Sequence, residues 1–352
     1  MIVDPNQARN REYRLASRPV GRVKPSDFSY QETAVPEPGP GQAVARTLYL
    51  SLDPANRIWM NEGDSYRGPI PLGGVMEGFG LAQIVRSNHP GYPVGALVTG
   101  MVNWCDYNLL GEGTHALFMR VPPAIADKAP PDVVLGPLGM TGLTAYFGLF
   151  DVGRPQPGET VVVSAAAGAT GSVVIQLAKA HGCRAVGIAG SEDKCAWLRD
   201  ELGADAAVNY KSPDFRAQLA AATPRGIDVI FENVGGTVFD DCLARINLRA
   251  RVALCGLISG YNEKAPQPGP RNFGNVLMKR ARIEGFIIVD YAARFAEGMG
   301  KLLELWTSGR LKHRTTLVEG LENAPAAINQ LFDGQNVGKL LIKVADPSGS
   351  LS

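Results

Sequence analysis

Cysteine is scarce and scattered, with five residues at 105, 183, 195, 242 and 255, none at metal-ligand spacing from another. An odd number without such spacing excludes a disulfide framework and a zinc ribbon, and reads as free thiols in a reducing compartment. The four histidines, at 89, 115, 181 and 313, are equally dispersed, so the chain offers no three-ligand set of the kind catalytic zinc needs. An excess of charge is also missing, with 35 Lys and Arg against 34 Asp and Glu. Neither nucleic acid nor an anionic membrane surface is therefore an expected partner. The most hydrophobic region, 133–150, is broken by Pro137 and several glycines and contains no uninterrupted membrane-spanning stretch. Arg9, Arg11, Arg14 and Arg18 have no apolar segment behind them, which does not read as a secretory signal. There is no internal repeat, and Ala265-Pro-Gln-Pro-Gly-Pro270 reads as a loop between a strand and a helix. A soluble, cytoplasmic protein is expected.

What is present is more specific. A chain of 352 residues that is 45% hydrophobic has material for two cores. Val161-Val-Val-Ser-Ala-Ala-Ala-Gly168-Ala-Thr-Gly171-Ser-Val-Val-Ile-Gln-Leu-Ala-Lys179 passes from a β-branched run through small residues into helical spacing. That pattern predicts a buried parallel strand, a tight turn and a helix start. Small residues there let the backbone approach a pyrophosphate, and the first N–H groups of the helix attract its charge. The turn reads Ala166-x-Gly168-x-x-Gly171, with alanine where the dinucleotide fingerprint has its first glycine.

A second strand, Arg184-Ala-Val-Gly-Ile188, leads into Ala189-Gly-Ser191-Glu-Asp-Lys194. An NAD site places an acidic side chain at this strand end, about twenty residues past the loop. Here a hydroxyl and an ammonium fall close by instead, which suits a 2′-phosphate and points to NADP(H). Glu192 and Asp193 fit the first turn of the next helix, where negative charge is stabilised. Further strands are read at 206–209, 227–232 and 251–256, separated by helices near 192–202, 214–222 and 236–247. This alternation predicts an α/β, doubly wound parallel sheet. Before residue 130, extended runs such as 43–50, 81–86 and 116–121 alternate with Gly/Pro turns and suggest a mostly β domain. After 312 come a strand at 315–319, a helix over 324–332 and a last strand at 338–344, so the tail is expected to return to the first domain.

Six motifs then stand in order along nearly the whole chain: Tyr49-Leu-Ser-Leu-Asp-Pro54, Met140-Thr-Gly-Leu-Thr-Ala-Tyr-Phe-Gly148, Ala165-Ala-Ala-Gly-Ala-Thr-Gly171, Glu232-Asn-Val-Gly-Gly236, Cys255-Gly-Leu-Ile-Ser-Gly-Tyr-Asn262 and Asn336-Val-Gly-Lys339. Together they resemble the zinc-independent branch of the medium-chain dehydrogenase/reductases, in the leukotriene B4 dehydrogenase, prostaglandin reductase and double-bond reductase group. The resemblance implies a GroES-like domain over 1–134 and 312–352, a Rossmann domain over 135–311, and a cleft between them. It implies NADPH-dependent reduction of the carbon–carbon double bond of α,β-unsaturated aldehydes and ketones, by hydride transfer to the β-carbon. Zinc-containing relatives carry a His-Glu pair in a Gly-rich segment; here Gly73-Gly-Val-Met-Glu-Gly-Phe-Gly80 lacks the histidine, and no metal is expected. A homodimer through the Rossmann sheet is implied, with 282–288 as its edge strand.

By the same resemblance, Gly168, Ala169, Thr170 and Gly171 hold the pyrophosphate, and Ser191, Lys194 and Tyr210 surround the 2′-phosphate and its ribose. Asn233, Thr144, the run Cys255, Gly256, Leu257, Ile258, Ser259 and Tyr261, the run Phe286, Ile287 and Ile288, and Asn336 approach the nicotinamide half. Plainer readings stand beside three of these: Tyr210 as a strand cap, Phe286 as core and Asn336 as a turn residue. Tyr261 is the expected catalytic residue. It follows the sheet's carboxyl edge between flexible glycines, where its phenol can donate to the ribose hydroxyl or to the substrate carbonyl; the alternative is a tyrosine that packs the loop. The α-carbon takes its proton from water or a tyrosine.

The chain departs from its relatives in Asp53-Pro-Ala55-Asn-Arg57, where they often have an aromatic after Asp-Pro, and in Met140-Thr141-Gly142, where they often have proline. Substrate contacts are accordingly expected from Tyr49, Trp59, Met60 and Tyr66, with ordinary packing equally open for the last three. An NADPH:quinone oxidoreductase and a non-catalytic NADPH-binding protein are the rival readings.

Overall fold

Alternate burial along the first strands shows why the segment before residue 130 forms sheets: in Leu97–Asn103, Val98, Gly100 and Val102 are buried while Thr99, Met101 and Asn103 are half exposed. The computed structural model describes residues 9–63, 65–114, 118–265 and 268–347. Strands β1 (Arg9–Leu15) and β2 (Phe28–Ala34) form an antiparallel pair. Then come β3 (Gln42–Leu52), β4 (Glu77–Ser87), β5 (Leu97–Asn103), β6 (Tyr107–Gly111) and β7 (Phe118–Arg120). The expected run 116–121 is therefore β7, although 116 and 117, with His115, lie outside the described residues, as do 266 and 267 of the Pro/Gly-rich loop.

The middle of the chain alternates strand and helix. Strands β8 (Thr160–Val163), β9 (Arg184–Ala189), β10 (Ala206–Asn209), β11 (Ile227–Glu232), β12 (Ile246–Leu254) and β13 (Arg282–Gly285) pair in parallel, in the order β10-β9-β8-β11-β12-β13. All four residues of β8 are buried, as a strand covered on both faces requires. The order of strands reverses between β8 and β11, and ligands bind beyond the carboxyl ends of such a sheet at that switch point. This is the Rossmann unit. Its helix after β11 ends at Leu243 rather than running to 247, because β12 already begins at Ile246 and pairs with Ile227 across a bulge.

The last strands, β14 (Thr315–Glu319) and β15 (Lys339–Lys343), join the earlier ones in an antiparallel sheet ordered β14-β15-β3-β4-β5-β7, with β6 on β3. This is the GroES-like unit, and the tail does return to it. The helix expected over 324–332 is split into Ala324–Ala327 and Asn329–Asp333. By its internal contacts the chain divides into one unit up to Leu135 with Thr315–Gln335 and the residues from Leu340, and a second of Gly136–Arg314 with Asn336–Lys339.

The Asp53-Pro-Ala55-Asn-Arg57 motif proves to be architecture. Asp53 and Asn56 cap the helix Pro54–Trp59 reciprocally, Asn56 Nδ2 donates to the Glu77 carbonyl at 2.9 Å, and the buried Arg57 guanidinium donates to the carbonyls of Pro19 and Gly21. The expectation of substrate contact from Met60 and Trp59 needs correction. Met60 is 0% exposed and Trp59 3%, both inside the apolar core with Met76 and Trp104. The Trp59 indole N–H is committed to Tyr66 Oη at 2.7 Å, and Arg67 lies over the Trp59 ring while pairing with Glu77. Tyr66 and Tyr49 keep exposed surface in this group.

Candidate functional site

The turn after β8 is shaped by contacts that only small residues permit. A Cβ on Gly171 would stand 2.5 Å from the Ala165 carbonyl oxygen, and Ala165 itself adopts a left-handed conformation at φ 47°. The strained position is thus Ala165, not Ala166, which explains how the fingerprint tolerates alanine in place of its first glycine. Ala166 is wholly buried, and its methyl group sits where a Cβ on Gly187 would lie only 3.0 Å away. The glycine missing from the loop is supplied by the neighbouring strand. Gly168 precedes the helix Ala169–Ala180, and the N–H groups of Ala169, Thr170 and Gly171 have no backbone acceptor among the described residues. Three free donors at the N-terminus of a twelve-residue helix form a cradle for a phosphate group.

The tail braces this cradle from the other side. Gly338 N–H donates to the Ala167 carbonyl at 2.8 Å and bridges Gly168, while Asn336 Nδ2 donates to the Gly338 carbonyl at 3.0 Å. Gly338 has φ 66°, and a Cβ there would lie 1.8 Å from the Arg314 carbonyl oxygen. The Asn336 bond is a local one within the turn, and Gly338, quoted in the sequence only as part of a motif, ties the tail to the turn after β8.

At the ends of β9 and β10, Ala189 and Asn209 are register partners, so Ser191, Lys194 and Tyr210 emerge together. Ser191 caps the helix Glu192–Asp200, its hydroxyl accepting from Lys194 N–H at 3.3 Å. The Tyr210 ring lies against Gly190, where a Cβ would come within 3.0 Å of the ring, and is 41% exposed. Lys211 was not singled out by sequence. Its ammonium sits 5.8 Å above the Tyr210 ring, and burial together with the charge of Lys211 pulls the Lys194 pKa below its ordinary value. Two ammonium groups close enough to repel each other are stabilised by a dianion between them. Cradle and cations together fit a dinucleotide bearing a 2′-phosphate. The signal for Lys211 was available, since it follows Tyr210 at the strand end already chosen.

Beyond β11 the chain builds a different structure around Glu232, which is 0% exposed. Its Oε1 accepts from the N–H groups of Val234 and Gly235 at 2.6 and 2.7 Å and from the Ser164 hydroxyl at 2.9 Å, while Oε2 is buried with no partner. Ser164 Oγ in turn accepts from Asn233 N–H, and Asn233 Nδ2 donates to the Ser164 carbonyl at 2.7 Å. The Glu232 carbonyl accepts from Cys255 and Gly256, and those of Asn233 and Val234 accept from Ile258 and Ser259. Burial pushes the Glu232 carboxyl up to about 7 against its hydrogen-bond donors, and burial with the Glu232 charge pushes the Cys255 thiol up to about 12. Sequence reading used Glu232 as a strand end and the start of a motif but gave it no role, because nothing in a β-rich run marks a carboxylate as buried.

The same knot places Tyr261. Its Oη accepts from Leu257 N–H at 3.1 Å and lies 3.2 Å from where a Cβ on Gly256 would be, so a larger residue at 256 would crowd the phenol where it folds back over the loop. Burial raises its pKa, which keeps the hydroxyl protonated and able to donate. Thr144 donates its hydroxyl to the Met140 carbonyl at 2.7 Å within its own helix. Phe286, half buried, packs edge-on to Phe231 and fills the space beside Gly148, where a Cβ would come within 2.3 Å of its ring. Ile287 and Ile288 follow β13 into a short 3₁₀ segment, Ile288–Arg294. Among the described residues, no group of three or more His, Cys, Asp or Glu could hold a metal ion.

Comparison with known proteins agrees with this architecture. Residues 11–117 match a family described as the N-terminal domain of oxidoreductase, and 169–304 one described as zinc-binding dehydrogenase. The NADPH-dependent curcumin reductase of Escherichia coli is 43% identical over 96% of this chain and 97% of its own length. The chain belongs to the medium-chain dehydrogenase/reductase family. Within that family it is also 38% identical to the NADP-dependent 2-alkenal reductase of Nicotiana tabacum, over 96% of this chain and 98% of the relative. The crystal structure of Vibrio vulnificus CurA with NADPH covers 96% of this chain and all of its own, at 40% identity and a TM-score of 0.89. Members of the family with these names are oxidoreductases, and this chain is an NADP-dependent oxidoreductase.

Proposed function

We propose that this chain reduces the carbon–carbon double bond of α,β-unsaturated aldehydes and ketones. The cofactor is NADP(H), which supplies a hydride for the β-carbon when bound. The observation that carries the reading is the pairing of the Ala165–Gly171 cradle with Lys194, Tyr210 and Lys211 at the adjacent strand ends. The relatives named for curcumin and 2-alkenal reduction, matched along almost the whole chain, support the enone and enal substrate class.

Each residue then has a task. The N–H groups of Ala169, Thr170 and Gly171 bind the pyrophosphate, and Lys194, Lys211, Tyr210 and the Ser191 hydroxyl bind the 2′-phosphate. Asn233 and the loop from Cys255 to Tyr261 shape the nicotinamide side. The Tyr261 hydroxyl donates to the ribose or to the substrate oxygen as enolate charge gathers there, stabilisation that matters because this charge grows toward the transition state. No metal takes part in this scheme.

The reading includes a homodimer in the cytoplasm. Among the described residues, strand β13 ends the parallel sheet with one edge unpaired and Val289 exposed beyond it, so a second copy can continue the ladder. No helix among the described residues is long and apolar enough to cross a membrane.

The test is an NADPH-oxidation screen over enals, cyclic and aryl enones and quinones, with product identification. Saturated aldehyde or ketone products support the proposal, and turnover confined to quinones overturns it. Enzyme extensively treated with chelator keeps its rate; loss of the rate together with stoichiometric zinc contradicts the metal-free scheme.

A further inference from the structure

The amino-terminal edge of the same parallel sheet carries a second, strongly cationic cavity. Five arginines, Arg154, Arg249, Arg251, Arg280 and Arg282, line a surface cavity of about 340 Å³ with Ala250. Arg251 and Arg282 are register partners at the start of the β12–β13 ladder, whereas Leu254 and Gly285 pair at its carboxyl end. The cavity therefore lies at the opposite edge of the sheet from the Glu232 knot and the cofactor cradle.

Two of the five guanidinium groups are neutralised internally. Arg251 pairs with Glu159 and donates to the carbonyls of Gly153 and Arg154, while Arg282 meets Glu284 at 3.3 Å and donates to the Val152 carbonyl. The other three have no carboxylate partner among the described residues. Arg154 and Arg280 each donate one bond to a nearby carbonyl, of Asp151 and Met278, and no side-chain partner is found for Arg249. The nearby carboxylates are used elsewhere, Asp151 by Arg294 and Asp228 by Asn247 and Thr160 N–H.

These same three arginines share a backbone feature. Arg154, Arg249 and Arg280 have φ values of 47°, 61° and 49°, and they are three of the four non-glycine residues with positive φ among those described. Glycine or asparagine fits this conformation at lower cost, so local backbone preference does not account for arginine at any of the three. What arginine adds is a planar fork of donors matched to phosphate oxygens.

We propose that this cavity binds a diphosphate group. Three uncompensated guanidinium charges match a ligand of roughly three negative charges, which two adjoining phosphoryl groups carry near neutral pH. A single phosphate leaves part of that positive charge unanswered. The volume is at the lower end of the range for small-molecule sites and accommodates a diphosphate with one open side. The ligand's source is either free pyrophosphate or a nucleoside diphosphate presenting the same group.

The experiment is calorimetric titration of the NADPH-saturated enzyme, so that the cofactor cradle is filled, with inorganic pyrophosphate, ADP and inorganic phosphate in turn. Pyrophosphate is expected to bind one per chain, at least tenfold more tightly than phosphate, with an affinity that falls as salt rises. ADP binding tighter than pyrophosphate assigns the site to a nucleoside diphosphate, and equal binding assigns it to the diphosphate alone. The triple variant Arg154→Asn, Arg249→Asn and Arg280→Asn suits the left-handed backbone and removes the three charges. It should weaken pyrophosphate at least tenfold and leave NADPH affinity and enone turnover unchanged. Should the triple variant fail to fold, Arg249→Asn alone, at an exposed position, is expected to weaken pyrophosphate several-fold. Absence of pyrophosphate binding to the wild-type holoenzyme, or undiminished binding to a folded variant, overturns the proposal.

Discussion

At the β9–β10 end of the sheet, Tyr210 and Lys211 are exposed just past β10, and the half-buried Lys194 lies in the first turn of the helix after β9. At the β11–β12 end the order is inverted: the buried Glu232 carboxylate gathers the N–H groups of its own turn, and the backbone so organised carries the outward groups. The first half recognises charge with replaceable side chains. The second shapes a surface through a group that never reaches it. Mutations should therefore separate binding from stability in the first half and couple them in the second.

The largest expected effect is that of Glu232→Ala. It leaves the buried N–H groups of Val234 and Gly235 and the Ser164 hydroxyl without their acceptor, and should cost about 3 kcal/mol of stability, with weakened NADPH binding as a consequence. Glu232→Gln keeps the Oε1 acceptor and should recover most of that loss in urea unfolding. The comparison also has a pH signature. Because the folded-state pKa of about 7 lies above the ordinary 4.5, the folded protein retains a proton that the unfolded chain has released between those values. This contribution is fully present below pH 4.5 and is lost as pH rises through about 7, a change on the order of 3 kcal/mol. Glu232→Gln should flatten the curve over that window; an unchanged slope would show that Glu232 does not titrate there.

Tyr261→Phe probes what the knot positions. If the phenol stabilises the developing enolate, turnover should fall roughly tenfold to a thousandfold, the upper end matching loss of an oxyanion donor. NADPH affinity should move much less. Wild-type single-turnover hydride transfer at saturating substrate would remove the hydroxyl from the mechanism and leave it a loop-packing group.

On the other side of the comparison, Lys194→Ala should weaken NADPH roughly tenfold to a hundredfold, the measure of a charge-assisted bond worth about 1.5–3 kcal/mol. NADH binding and the unfolding midpoint should barely change. Equal losses for both cofactors in a fluorescence titration would sink the 2′-phosphate assignment, and a large fall in stability would erase the contrast with Glu232. The smallest effect is expected from Lys211→Ala, about threefold on NADPH, since its ammonium is exposed and screened by solvent. An effect as large as that of Lys194→Ala would make the two lysines equal partners on the phosphate.

Much of this was legible along the chain because it is written in local pattern. Burial on both faces forces continuous apolar runs such as that of β8, helical spacing follows at once, and the strand ends of a parallel sheet fall in sequence. The fold could thus be read in advance, and the loop glycines, Lys194 and Tyr210 could be put forward as cofactor contacts. Met60 could not be told from a substrate contact, since an apolar side chain beside a motif looks the same whether it faces a core or a ligand; packing around Trp104 and Met76 decided it. Ala166 looked like a defect in the fingerprint until Gly187 on the next strand showed where its methyl group goes. Sequence alone showed the alternation of strand and helix and the small-residue turn after β8, and it named the residues proposed to meet the cofactor. Only tertiary structure decided that Glu232 is buried, that Gly338 clasps the turn after β8 from more than 160 residues away, and that five arginines from three stretches of chain share one cavity. Those outcomes depend on the desolvation and close approach of residues distant in sequence, which no local periodicity encodes.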